Sequence, residues 1–170
     1  MNTDDILRTL SDEELVSRIV KDNNSILFGE LYDRYGRIVY NKCFSFSKSK
    51  DEAQDLTQDV FLLLFIKLRT YKGRSKFATW LYSFTYNFCT NHVNRNTARK
   101  IGDHSKSLNE DTLLSSVDIS DDTLLQIRVS KLKKALDHIP PEDKSILLLK
   151  YQDGVAIKDL TDLMDLNESA

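Results

Sequence analysis

The chain has 170 residues, 41% hydrophobic and 29% charged, with a formal net charge of −2: enough apolar material for one domain of ordinary size or two small ones. Five Gly and two Pro are too few for a turn-rich β architecture and favour long helices. No run of about 18 apolar residues is present, and the opening MNTDDILRTLSDEEL lacks the basic-then-apolar order of a signal peptide, so a cytoplasmic protein without membrane insertion is expected.

In chain order, Ser11-Asp12-Glu13-Glu14 reads as a capping box opening a short helix with Leu15, Ile19 and Val20 on one face. A second helix is predicted from about Ser25 to Ser47, its apolar face built from Phe28, Leu31, Tyr32, Tyr35, Ile38, Val39 and Tyr40. A third runs from near Asp51 to about Leu68, with acids crowding the first turns where the helix dipole favours them. The loop Tyr71-Lys72-Gly73-Arg74-Ser75 interrupts the pattern. Ser75 is then placed to cap a fourth helix to about Ala98, with Phe77, Leu81, Phe84 and Phe88 as its inner stripe.

Residues 101–122 lose this periodicity, become Ser/Asp-rich and read as an acidic linker, too long for a connection inside one compact domain. Leu125, Val129, Leu132, Leu136 and Ile139 mark a further helix stopped by Pro140-Pro141, and Pro141 suits the first turn of the next. Tyr151-Gln152-Asp153-Gly154 is a turn, and Leu160, Leu163, Met164 and Leu166 belong to a last short helix. The class is all-α, organised as residues 1–100, a linker over 101–122, and 123–170.

Charge is distributed unevenly. Residues 60–102 contain no Asp or Glu but carry Lys67, Arg69, Lys72, Arg74, Lys76, Arg95, Arg99 and Lys100, whereas 103–122 carries six acids against one base. A basic block in an acidic protein is the footprint of a polyanion. Within 71–100 the bases alternate with aromatics, the combination that holds phosphates and stacks single-stranded bases. Phe77 and Trp80, three apart, cannot both point fully into one core; Asn87, Asn91 and Asn94 can hydrogen-bond base edges or backbone.

Asp51, Asp55 and Asp59 recur at i, i+4 and i+8, flanked by Glu52 and Gln58, and make an acidic ridge. A solvated helix face accounts for the spacing alone. The seven apolar residues Val60–Ile66 that follow call for burial on more than one side, which favours a protein partner.

Catalysis is not expected. There is no Gly-rich phosphate loop and no nucleophile elbow, and the histidines are isolated. Cys89 and His92 have metal-like spacing, but Cys43, His104 and His138 are scattered singly, so neither a metal nor another cofactor is expected.

The stretches DEAQDLTQDVFLLLFIKL (51–68), YKGRSKFATWLYSFTYN (71–87) and ALDHIPPEDKSILLLKYQDGVAIKDLTDLMDLNESA (135–170) together resemble the extracytoplasmic-function sigma factors of bacterial RNA polymerase. The most specific signal is the Asp55, Gln58, Phe61 arrangement followed by G-R-S-x-F-x-T-W-L. The resemblance implies a four-helix region-two domain, a flexible acidic linker, and a partial region-four helix-turn-helix lacking its recognition helix. It further implies that Asp51, Asp55, Gln58, Asp59 and Phe61 dock on the clamp helices of the largest polymerase subunit, with region four on the β flap. Lys72, Arg74, Lys76, Phe77, Thr79, Trp80, Tyr86 and Asn87 would bind and melt the −10 promoter element, capturing a base of the non-template strand; Arg95, Arg99 and Lys100 join them as phosphate contacts.

Two departures stand out. Position 83 is Ser, and 91–96 reads NHVNRN with a single Arg, so duplex grip is expected to be reduced. In the helix-turn-helix, Thr161 and Asp165 stand where the family has a small residue and a glycine. The implied function is initiation of transcription. The alternatives are a factor whose DNA address comes from a separate partner complex, and a polymerase-binding decoy; an anti-sigma factor is a further candidate partner.

Overall fold

The computed structural model describes residues 9–102 and 121–163, and they form helices with no strand among them. The elements are α1 (Asp12–Asp22), α2 (Ser25–Phe44), α3 (Lys50–Lys67), a 3-10 turn (Leu68–Thr70), α4 (Phe77–Gly102), α5 (Asp121–Asp137), α6 (Pro141–Leu147), a π turn (Leu148–Gln152) and α7 (Ile157–Leu163). The predicted linker lies outside the described residues except at its ends, which belong to α4 and α5. Asp165 and the position after Ala170 expected for a recognition helix also lie outside them.

Local chemistry accounts for the helix starts. In α1 the Ser11 hydroxyl accepts from the Glu14 N–H, and the Glu14 carboxylate accepts from the Ser11 N–H at 3.0 Å. Asn23, in the left-handed region, ends α1; Asn24 then caps α2, its Oδ1 accepting from Ile26 and Leu27 N–H. Ser49 caps α3, which starts one residue earlier than predicted, by accepting from Glu52 N–H at 3.1 Å. Ser75 is not the group that meets the first free amide of α4: Phe77 N–H donates to Glu13 of α1 at 3.1 Å, so a carboxylate 64 residues away fills that role.

The broadest contact joins α2 to α3. Leu31, Val39, Leu56, Val60, Leu64, Leu68, Phe77 and Leu81 are buried together, each contributing about 1.5–3 kcal/mol by leaving water. Phe28 lies edge-on to Phe61 and Phe65, with centroids 6.2 and 5.0 Å away. Asp12 fastens α1 to α2 by pairing with Arg34 at 2.9 Å and accepting from the Tyr35 hydroxyl at 2.5 Å.

α6 packs along α4. The inner stripe of α4 therefore differs from the prediction: Phe77 and Leu81 are buried, but Phe84 and Phe88 are only half-buried, while Ser83, Thr85, Tyr86, Cys89 and Thr90 are enclosed. A helix covered by two neighbours buries more than one stripe.

Candidate polymerase and nucleic-acid interfaces

On α3, Asp51, Asp55, Gln58 and Asp59 are all exposed. Phe61 is not: it is buried between Phe28 and Tyr32, the latter ring 4.6 Å away, so it anchors α3 on α2 and offers a partner no surface. Leu62 and Ile66 are exposed instead (68% and 61%), so part of the apolar run faces solvent beside the acids. Gln58 lines a groove against α2 with Arg37 and Tyr40, whereas Asp59 lines another against α4 with Arg95 and Arg99. The ridge thus diverges toward two neighbours.

The basic loop follows α3 directly. Gly73, at φ +69°, makes the turn that presents Lys72 and Arg74, and both side chains and Lys76 are exposed. Tyr71 braces the loop by donating its hydroxyl to Ser75 carbonyl at 2.6 Å. Trp80 stands beside it, half-buried, 5.4 Å from Tyr71 and stacked on Phe84 at 5.4 Å. Thr79 and Asn87 are likewise partly accessible on α4.

Five of the predicted contacts are placed elsewhere. Phe77 is fully buried against Tyr35 and Tyr71 and serves as the core anchor of α4. Tyr86 is also fully buried, its hydroxyl accepting from Lys42 Nζ at 3.1 Å, and burial pushes its pKa well above the ordinary tyrosine value. Neither ring can meet DNA in this arrangement. Arg95 and Arg99 are exposed but lie far along α4: fifteen residues at 1.5 Å rise put Arg95 roughly 22 Å beyond Trp80. Lys100 lies in the last turns of the same helix. The basic block of the sequence is two patches in space.

Cys89 and His92 do not converge on a common point. The Cys89 thiol donates to Cys43 Sγ at 3.8 Å inside the core, whereas His92 Nε2 pairs with Glu52 at 3.1 Å. Glu52 also accepts from Lys48 N–H at 2.6 Å, and this amide, followed by His92, holds its carboxyl below the usual range against a partial burial cost.

Sequence reasoning missed a buried ion pair. Lys42, 2% exposed, donates to Asp153 Oδ1 at 2.5 Å and lies 4.0 Å from the Tyr82 ring centroid. Burial lowers its pKa, with Asp153 acting in the opposite direction. The available signal was positional, because Lys42 continues the buried stripe Leu31, Tyr35, Val39 on α2. The partner, in the π turn's exit, had no sequence signal.

The Sigma-70 region 2 family profile matches residues 31–99, the span from α2 to the last turns of α4 that carries both the acidic ridge and the basic loop. Three curated relatives extend the likeness over most of the chain. The ECF RNA polymerase sigma-E factor of Haemophilus influenzae is 25% identical over 92% of this chain and 85% of its own length. The ECF RNA polymerase sigma factor SigW of Bacillus subtilis is 20% identical over 86% of this chain and 82% of its own. Residues 31–99 thus match the Sigma-70 region 2 family, and over most of its length the chain is similar to extracytoplasmic-function sigma factors. The ECF RNA polymerase sigma factor BldN of Streptomyces coelicolor, 28% identical over 92% of this chain and 59% of its own length, is a further relative. Among the described residues, no helix is long and apolar enough to cross a membrane.

Proposed function

We propose that this sigma factor docks on core RNA polymerase through the exposed face of α3 and melts the −10 promoter element with the loop and first turns of α4. The observation that carries the reading is the adjacency of two unlike surfaces on one continuous segment. An acidic ridge with exposed Leu62 and Ile66 is followed at once by an exposed basic loop with a half-buried tryptophan. Asp51, Asp55, Gln58 and Asp59 meet the clamp helices of the largest subunit, and Phe61 positions them by fixing α3 on α2. Lys72, Arg74 and Lys76 take phosphates, and Trp80, with Thr79 and Asn87 beside it, offers a ring to an unstacked base; stacking of this kind contributes about 1–3 kcal/mol per base. Residues 9–102 act as region two, and α5–α7 as the start of region four, directed to the β flap. The chain assists initiation without chemistry of its own, in the cytoplasm, where the polymerase is.

The test combines co-purification with core polymerase and run-off transcription. Asp55→Ala with Gln58→Ala should abolish core binding; retention of core by this variant would refute the docking assignment. Replacing Lys72, Arg74 and Lys76 by Ala should leave core binding intact, lose promoter opening, and reduce the dependence of DNA affinity on salt by roughly 0.7–0.9 in slope per phosphate contact. Core binding by the unaltered chain with no transcript from any promoter would favour an external DNA address or a decoy instead.

A further inference from the structure

We propose that Glu13 of α1 is a positioning residue for base capture: by holding the first amide of α4, it sets where Trp80 stands relative to the basic loop. This role rests on the proposed nucleic-acid reading of the loop and assigns part of it to a different helix.

The segment before α4 has little of its own with which to fix the start of that helix. Lys76, immediately before it, has no side-chain oxygen to serve as a cap. Ser75 is tied backwards, its carbonyl accepting from the Tyr71 hydroxyl at 2.6 Å. The Phe77 N–H donates instead to Glu13 Oε1 at 3.1 Å. A carboxylate suits this place, because an ionised acceptor makes a stronger bond and meets the positive end of the helix dipole. One turn on, Trp80 N–H donates to the Lys76 carbonyl at 3.1 Å, so the tryptophan backbone belongs to the turn that Glu13 fastens.

Glu13 is itself held in place. The capping box of Ser11 and Glu14 fixes the first turn of α1. Asp12, its neighbour, pairs with Arg34 and accepts from the Tyr35 hydroxyl on α2. The Tyr35 ring lies edge-on to Phe77, centroids 5.7 Å apart, so adjacent carboxylates reach Phe77 by two routes, one through that ring and one at the amide. Tyr71 stands 5.5 Å from Phe77 and 5.4 Å from Trp80. Burial, followed by the charges of Glu13 and Asp12, raises the Tyr71 pKa, as expected where both carboxylates lie near the ring that braces the loop. Stacking needs a ring face at a defined place, whereas the flexible stems of Lys and Arg follow a displaced phosphate. Loss of Glu13 should therefore spoil base capture and spare phosphate binding. Glu13 is exposed, so its truncation leaves no cavity.

The test separates bases from phosphates. Anisotropy of fluorescein-labelled single-stranded DNA reads the affinity of the full chain for a mixed-sequence oligonucleotide and for an abasic strand of equal length. The unaltered chain should prefer the strand with bases by about fivefold or more, the contribution of one stacked base. The same oligonucleotide, unlabelled, should quench Trp80, the only tryptophan of the chain. Glu13→Ala should bring the two affinities together and abolish quenching, with the salt slope for the abasic strand unchanged. Glu13→Gln keeps an oxygen acceptor and should retain the preference. Asn24→Ala loses the cap of α2 and should also retain it, despite a comparable loss of stability. Retained preference in Glu13→Ala, or an equal loss in Glu13→Gln or Asn24→Ala, overturns the positioning role. If the unaltered chain shows neither preference nor quenching, the base-capture reading beneath it falls.

Discussion

Between α2 and α3 the contact is made of rings and branched aliphatics, with Phe28 edge-on to Phe61 and Phe65 and with Leu31, Leu56, Val60 and Leu64 closed off from water. Between α4 and the α6–α7 segment, hydroxyls, an amide and a nearby ion pair stand beside the buried side chains of Leu149, Val155 and Leu160. Apolar burial has no competing partner in water, so the first seam separates only when the bundle unfolds. Polar pairs exchange one partner for another in water, so the second seam, with fewer buried apolar side chains, is expected to open at lower cost than the first. On the proposed docking role, a chain built this way keeps α3 rigidly seated on α2.

The comparison can be broken most severely at Leu64, fully buried on α3. Leu64→Ala should lower global stability by about 2–5 kcal/mol, read as a shift of the denaturant midpoint with unchanged slope. A loss under 1 kcal/mol would mean that the α2–α3 seam is less tightly packed than described. Lys42→Met tests the other seam. It strands Asp153, and losing one member of a buried pair costs roughly 3–5 kcal/mol where the remaining charge cannot reach water. Here separation of α6 and α7 gives it water, so amide exchange in α6 should accelerate while exchange in α2 and α3 holds. Uniform acceleration across all helices would show that the two seams open together.

Asn24→Ala removes the acceptor for two amides at the start of α2 and should cost about 1 kcal/mol in thermal or denaturant unfolding, without changing exchange at the α4–α6 seam. The smallest expected effect is pH-dependent. The Glu52 pKa is depressed in the folded chain, so its contribution is fully present above the unfolded value of about 4.3 and is lost as pH falls through the folded value. Glu52→Gln should therefore be slightly less stable than the unaltered chain at pH 7, with the difference vanishing as the pH falls through the depressed folded pKa of Glu52. A difference that persists to acid pH would place the loss in packing and not in charge.

Periodicity and cap chemistry were legible along the chain because they are local. The capping box at Ser11–Glu14, the acids opening α3, the break at 71–75 and Pro141 in the first turn of α6 all act within a few residues. The exposure of Asp51, Asp55, Gln58 and Asp59 followed from the same spacing. Phe61, Phe77 and Tyr86 were misplaced for a related reason: a motif position specifies a residue type, not which way its ring points. Their burial depended on α2 and α1 arriving from elsewhere.

What the sequence by itself determined is the helical class, the capping box of α1, the proline start of α6 and the two chemically unlike surfaces on α3 and the loop. Spacing at 3.6 residues per turn decides which side chains share a face. It does not decide which helix covers that face. Only the tertiary structure placed Lys42 against Asp153, 111 residues away, divided the basic block between the two ends of α4, and laid two carboxylates of α7 beside the loop. Those placements depend on how separate helices pack, and no window of the chain contains both partners.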